Sequence, residues 1–67
     1  MIMYEPLFRT MKERGETGYS LRFKYGFSSN IYWRITRGEA ITTKTIEVLC
    51  EILECDVVDI IEYVPDE

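Results

Sequence analysis

The sequence predicts an all-α domain of five short helices, with a helix-turn-helix at its centre. Apolar residues make up 46% of the 67 residues and aromatic residues 13%, which is too apolar for a disordered chain. These apolar side chains recur mostly at the three- and four-residue spacing of helices that bury one face. Between residues 17 and 38, capping hydroxyls alternate with glycines, which indicates two short helices joined by a tight turn. At this length we expect residues 1–67 to form one domain.

The first two helices are bounded by proline, glycine and a capping hydroxyl. Pro6 fits a first helical position and Gly15 ends the helix, whose apolar residues recur at helical spacing: Leu7, Phe8 and Met11. Thr17 caps a second helix, roughly residues 18–25, and Gly26 ends it. The side chains expected to point inward from this second helix are one turn apart: Leu21 and Tyr25.

The third helix follows a turn at which Phe27 is expected to enter the core. Ser28 caps this helix, roughly residues 29–37, and Gly38 ends it. A helix that packs on one side can bury two of its residues three positions apart: Tyr32 and Ile35.

The last two helices are predicted from a second pair of capping residues. Ile41 packs inward and Thr42 caps the fourth helix, whose buried stripe follows the spacing of an amphipathic helix: Ile46, Leu49, Cys50 and Leu53. Asp56 caps a fifth helix, with Asp59 completing an acidic variant of the capping box. Pro65 ends this helix, whose apolar residues are Val57, Ile60, Ile61 and Val64.

Charge is distributed unevenly along the chain. The formal net charge is −4, which by itself argues mildly against a nucleic-acid partner. Residues 1–44, however, carry all eight basic residues and four acidic ones, a net +4, whereas residues 45–67 carry eight acidic residues and no basic one, a net −8. A positive front and a negative back suit a domain that offers one face to a polyanion, although such asymmetry also arises when charges merely follow solvated helix faces.

Several other functions find little support in the composition. The chain has no histidine for general base chemistry and no glycine-rich phosphate loop, so we expect neither an enzyme nor a cofactor site. The only cysteines, Cys50 and Cys55, lie five apart on or near one helix, so we expect them to point in different directions and to be poorly placed for a disulfide. With no histidine and only two cysteines, no metal site is expected, and free thiols indicate a reducing, cytoplasmic environment. The C-terminal acidic residues are read as a solvated face rather than as cation ligands. Neither a signal peptide nor a membrane-spanning segment is expected.

The order and spacing of these residues resemble the phage Cro/repressor-type (XRE-family) helix-turn-helix domain over nearly the whole chain. The residues that carry the resemblance in the motif are Thr17, Leu21, Gly26, Phe27, Ser28, Tyr32, Ile35 and Gly38, and the segments Ile41–Thr43 and Leu49–Ile60 resemble the last two helices of the family. The resemblance implies a transcriptional regulator, often a homodimer, that binds double-stranded DNA and lays its third helix in the major groove.

Residue by residue, the resemblance assigns candidate DNA contacts. The positions that touch base edges in the family are occupied here by Ser29, Asn30 and Arg34, whose side chains can bond to bases. Helix starts and flanking basic residues would contact the DNA backbone: Thr17, Gly18, Tyr19, Ser28, Arg37 and Lys44. Alternatively, Ser29, Asn30 and Arg34 are merely helix-start and solvated residues.

Three positions depart from the family pattern. Gly18 occupies a position where the family commonly has a glutamine that binds a DNA phosphate. Arg22 occupies a position where the family usually has a small alanine at a close helix crossing, and Thr36 occupies one where the family often has glutamate. The chain also carries apolar residues that cannot all face its core: Phe23, Ile31 and Trp33. These three side chains could contact thymine methyl groups, form a surface for a protein partner, or fold back over a small core.

A second apolar strip is expected on the fourth helix, away from its buried stripe. Together with residues near the end of the chain it could form a two-fold dimer surface: Val48, Ile52, Ile61, Tyr63 and Val64. The alternative is that Met1–Tyr4 covers the strip, since the first four residues and Tyr63–Val64 suit a short strand pairing.

Overall fold

A computed structural model describes residues 1–66 as a helical domain with a small two-stranded sheet. The elements in chain order are strand β1 (Ile2–Met3), helices α1 (Glu5–Glu13), α2 (Gly18–Phe23), α3 (Ser29–Thr36) and α4 (Thr43–Leu53), a 3-10 helix (Val57–Asp59) and strand β2 (Glu62–Tyr63).

The described residues contain four α-helices, so the prediction of five was wrong in its count. The Asp56 capping box forms, with the backbone N–H of Asp56 donating to Asp59 Oδ2 at 3.0 Å, but it supports only one 3-10 turn. Beyond Ile60 the chain extends and pairs with β1 in antiparallel register, Ile2 opposite Tyr63 and Met3 opposite Glu62. The pairing of the two ends supplies the backbone hydrogen bonds that a longer helix would have made for itself.

Both helices of the helix-turn-helix begin at the expected residues, whereas α2 ends at Phe23 rather than near residue 25 and α3 ends at Thr36 rather than near residue 37. Thr17 and Ser20 form a reciprocal capping box at the start of α2, and the Ser28 hydroxyl accepts from the backbone N–H of Ile31 at the start of α3. Gly26 adopts φ +72°, a left-handed conformation that side chains disfavour, and lets the chain turn. Local capping and turn chemistry therefore determine where these two helices lie in the chain.

One apolar core joins all the helices and the 3-10 turn. Its buried members are Tyr4, Leu7, Met11, Leu21, Phe27, Ile35, Leu49, Leu53 and Ile60. Several expected core positions differ: Phe8 and Tyr25 are exposed, whereas Tyr32, Ile41, Ile46 and Cys50 are half-buried beside the core. Of the apolar residues of the predicted fifth helix, Ile60 is buried and Ile61 half-buried, and Val57 and Val64 are exposed. Tyr25 differs because α2 already ends at Phe23, which leaves its ring outside the helix that was to turn it inward.

Two hydrogen bonds from buried side chains hold the loops that flank the helices. The Tyr4 hydroxyl donates to the carbonyl of Glu39 at 2.6 Å, and the Thr10 hydroxyl donates to the carbonyl of Asp59 at 2.8 Å. The first of these fixes the loop between α3 and α4. Among the helices of residues 1–66, none combines the length and the apolar character needed to cross a membrane.

Candidate nucleic-acid interface

One face of α3 is exposed and polar. The residues of this face are spaced i, i+1, i+4, i+5 and i+8, and this spacing places them on one side of the helix. We call this surface the α3 face, and its residues are Ser29, Asn30, Trp33, Arg34 and Arg37. On the other side Ile35 is buried, and Ile31 and Tyr32 are half-buried against the core. The structure thus brings together all three candidate base-contacting residues, and Trp33 lies among them.

The start of α3 leaves its first side chains available to a partner. Ser29 and Asn30 are exposed, and within residues 1–66 neither side chain makes a hydrogen bond to the protein. An asparagine amide offers both donors and an acceptor, and a serine hydroxyl offers one donor and an acceptor, so both can pair with base edges.

Glu39 holds both arginines of the α3 face in the unbound protein. Arg37 Nε donates to Glu39 Oε2 at 2.6 Å, and Arg34 Nε lies 3.7 Å from Glu39 Oε1. Arg34 Nη2 also donates to the carbonyl of Ala40 at 2.9 Å. The hydrogen bond from Arg37 lowers the pKa of the Glu39 carboxyl, so these groups remain charged at neutral pH.

Lys44 is paired in the same way. Its Nζ donates to Glu47 Oε2 at 2.6 Å, and this bond raises the pKa of Lys44. All the ion pairs formed by Arg34, Arg37 and Lys44 are exposed, and such pairs contribute little to stability because water and salt screen them. Phosphate groups can therefore replace the carboxylates at small cost.

An aromatic cluster bridges α2 and α3: Phe23, Tyr32 and Trp33 surround the guanidinium of Arg22, and Tyr19 packs against Phe23. The guanidinium carbon lies 4.9 Å from the ring centroid of Trp33, 5.3 Å from that of Phe23 and 5.5 Å from that of Tyr32. Arg22 Nε donates to the carbonyl of Gly18 at 3.0 Å, which holds the guanidinium in place. Arginine over aromatic faces is a favourable cation–π arrangement.

Gly18 is the residue that makes room for this cluster. A Cβ built on Gly18 would lie 2.4 Å from Tyr32 Oη and 2.5 Å from Tyr32 Cζ. The Tyr32 ring therefore occupies the space beside the start of α2 that a side chain at position 18 would need. This packing accounts for two departures at once: Gly18 admits the Tyr32 ring, and Arg22 lies over that ring.

The expected partner surface is only partly assembled. Phe23 and Trp33 are 66% and 45% exposed and both lie next to Arg22, and Tyr19 joins them with its ring centroid 4.7 Å from that of Phe23. Ile31 instead packs against the core. The sequence analysis did not predict that Arg22 packs among these aromatic rings. The signal that could have indicated it was a large residue at the position of a close helix crossing, in a chain that also carries Tyr32.

The residues of the expected dimer strip lie in two places. Val48 and Ile52 are half-buried on one flank of α4. Ile46 and Cys50 lie on the other flank, because successive residues of an α-helix are rotated by about 100° and each pair is offset from the other by two residues, or about 200°. This second flank borders an open groove of about 630 Å³ that also contains Ile61. Tyr63 lies in β2, and Val64 follows it.

The thiols of Cys50 and Cys55 share this groove rather than pointing apart as expected. Both are free, and the backbone N–H of Cys55 donates to the carbonyl of Cys50 at 3.1 Å. Burial raises the pKa of the Cys55 thiol to about 11. The thiols are therefore protonated at neutral pH and weakly nucleophilic. Within residues 1–66, no group of three or more potential ligands is arranged to hold a metal ion.

Comparisons with known proteins agree with this geometry. A family model described as the Cro/C1-type HTH DNA-binding domain matches residues 7–66. Among solved structures, that of the transcriptional regulator VanUg is similar at a TM-score of 0.85 and 28% identity, over 97% of this chain and 87% of that one. A search of curated proteins finds no match. The match over nearly the whole chain confirms the resemblance inferred from the sequence: the chain belongs to the Cro/C1-type helix-turn-helix DNA-binding domains.

Proposed function

We propose that this protein is a sequence-specific transcriptional regulator that inserts α3 into the major groove of double-stranded DNA. The observation that carries the proposal is the α3 face, which exposes the three candidate base-contacting side chains together on one helix in a chain of this DNA-binding family. An α-helix fits the width of the major groove, where each base pair presents a distinct pattern of hydrogen-bonding groups.

Each polar residue of the α3 face has a role in this arrangement. Asn30 pairs with the N6 and N7 edge of an adenine, and Arg34 pairs with the O6 and N7 edge of a guanine. Arg34 gives up its contacts with Glu39 and the loop carbonyl to do so. Ser29, at the first turn of α3, bonds to a base or to a neighbouring phosphate.

The DNA backbone is held on both sides of α3. Arg37 and Lys44 exchange their carboxylate partners for phosphates, which the exposure of those ion pairs makes inexpensive. Hydroxyls and backbone N–H groups near the two helix starts supply further phosphate contacts: Thr17, Gly18, Tyr19 and Ser28. The excess of negative charge in residues 45–67 favours binding through the other part of the domain.

We further propose that the regulator acts as a homodimer in the cytoplasm. Two copies related by a two-fold axis would place their α3 helices about 34 Å apart, one turn of DNA. The candidate contacts are the exposed Tyr63 and Val64 near the end of the chain, the groove residue Ile61, and the α4 flank formed by Val48 and Ile52. A two-fold repeat in the bound DNA with that spacing is the expected result.

Selection of duplexes from a random library, followed by titration at several salt concentrations, tests the proposal. With about 4–6 phosphate contacts, log affinity should fall against log salt with a slope of about −4 to −5. Asn30→Ala should lose the preference for the enriched site, whereas Val58→Ala, an equally conservative truncation of a residue 76% exposed on the 3-10 turn, should not. Absence of any enriched duplex at low salt refutes the proposal.

A second candidate is a protein-interaction domain on the same scaffold. The observation that favours it is the exposed aromatic cluster, since Tyr19 is 69% exposed and Phe23 66% exposed beside an arginine. Tryptophan, tyrosine and arginine are the residues most enriched where protein interfaces derive their affinity. A partner lost on Phe23→Ala, together with unselective and weak duplex binding, would favour this function over the first.

A further inference from the structure

We infer that Trp33 is a specificity-determining residue that recognises the 5-methyl group of thymine, in addition to the hydrogen bonds made by its neighbours on the α3 face. The inference rests on the proposed function, because it requires α3 to lie in the major groove. It assigns to an apolar residue a base contact that the hydrogen-bonding residues cannot make.

Trp33 lies on the α3 face, among the candidate base-contacting residues. It lies one turn after Ser29 and directly before Arg34, so any duplex that reaches both of these side chains also meets the indole ring. Trp33 is 45% exposed in the unbound protein, and much of its ring is therefore available for contact.

Neighbouring side chains contact the Trp33 ring on one side. The guanidinium of Arg22 lies 4.9 Å from the Trp33 ring centroid, and the Tyr32 ring packs edge-on at 5.4 Å and 73°. Contacts on this side hold the indole against the domain and leave its other parts exposed. A ring held in this way loses little conformational freedom on binding, so its contact with DNA is favourable.

The major groove presents an apolar group that an indole ring can contact. The thymine methyl group is the apolar feature that distinguishes a base pair in the major groove of unmodified DNA. An indole ring has one N–H donor and otherwise an apolar surface, so it complements that methyl group. Burying one methyl-sized group is worth about a fourfold change in affinity.

Replacement of single thymidines by deoxyuridine in the selected duplex tests this inference, since the change removes only the methyl group and keeps base pairing. For the unaltered protein, at least one such replacement should weaken binding about fourfold. For Trp33→Ala, overall affinity should fall about tenfold, and the same replacement should have no further effect. Phe8→Ala is the matched control, because it truncates an exposed aromatic residue on α1, outside the α3 face and the aromatic cluster, and should retain the fourfold effect.

The outcomes separate the inference from the proposed function. The role of Trp33 is overturned if deoxyuridine does not weaken binding of the unaltered protein, or if it weakens binding of Trp33→Ala by the same factor. Either result leaves α3 as the DNA-binding helix. Failure to select any duplex overturns the proposed function and this inference with it. Circular dichroism melting of Trp33→Ala verifies that the variant is folded, and Trp33→Phe should keep part of the methyl discrimination.

Discussion

Replacing Gly18 with alanine tests whether the Tyr32 ring is held against the start of α2. The new Cβ would lie 2.4, 2.5 and 2.8 Å from Tyr32 Oη, Cζ and Cε2, all closer than Cβ atoms approach other heavy atoms. These three atoms belong to one rigid ring, so the ring must move as a unit. That movement disturbs its contacts with Trp33 and with the guanidinium of Arg22.

Two opposing effects determine the sign of the change in stability. Alanine is a better helix former than glycine by up to about 1 kcal/mol in a helix interior, and the gain is smaller at Gly18 because it is the first residue of α2. Extra atoms forced into a packed site cost about 1–3 kcal/mol. The clash should therefore prevail, with a net loss of about 1 kcal/mol. For a domain of this size that loss lowers the Tm by about 4–8 °C.

A double-mutant cycle followed by thermal melting isolates the contact. Gly18→Ala alone should lower the Tm, whereas Gly18→Ala in a Tyr32→Leu background should leave it unchanged or raise it, because the ring that causes the clash is gone. The two substitutions should thus be non-additive. A higher Tm for Gly18→Ala in the presence of Tyr32 would refute the reasoning.

Three further predictions follow from the contacts of the α3 face and the α4 groove. Glu39→Gln should raise duplex affinity about two- to fivefold in a fluorescence titration, because it frees both arginines of the α3 face, whereas Glu62→Gln, the same loss of charge on β2, should change it less. Arg34→Ala should cost about 1–3 kcal/mol on the selected site and relax the preference at one base pair, and an unchanged sequence preference would remove Arg34 from the base contacts. Because the Cys55 pKa is raised from 9.0 to about 11, its contribution to stability is full below pH 9 and is lost as pH rises through 11. Chemical denaturation should show that loss between these pH values and a shallower one in Cys55→Ala.

Much of the helix-turn-helix could be predicted from the sequence because its signals are local. The Thr17 and Ser28 caps act within three residues, and Gly26 provides the left-handed turn between the helices. The position of Ile35 in the core followed from helical periodicity. The shared exposure of Ser29, Asn30 and Arg34 followed from the same periodicity.

The errors arose where contacts distant in sequence outweighed local preference. Helical spacing predicted a fifth helix over the residues around Ile60, but pairing with β1, about sixty residues earlier, drew this segment into a strand. Phe8 and Tyr25 had helical spacing but lie outside the core. The groove shared by Cys50 and Cys55 depends on the chain direction after α4, which the spacing of the two cysteines does not specify.

The sequence by itself determined the family, the helix-turn-helix and the uneven distribution of charge, because caps, glycines and apolar periodicity act over a few residues. Only the tertiary structure decided how the unusual residues of the motif fit together. Tyr32 lies against Gly18, Arg22 lies over Tyr32 and Trp33, and Glu39 holds the arginines of the α3 face. Each of these contacts joins two elements, and its geometry exists only once α2, α3 and the following loop have packed together.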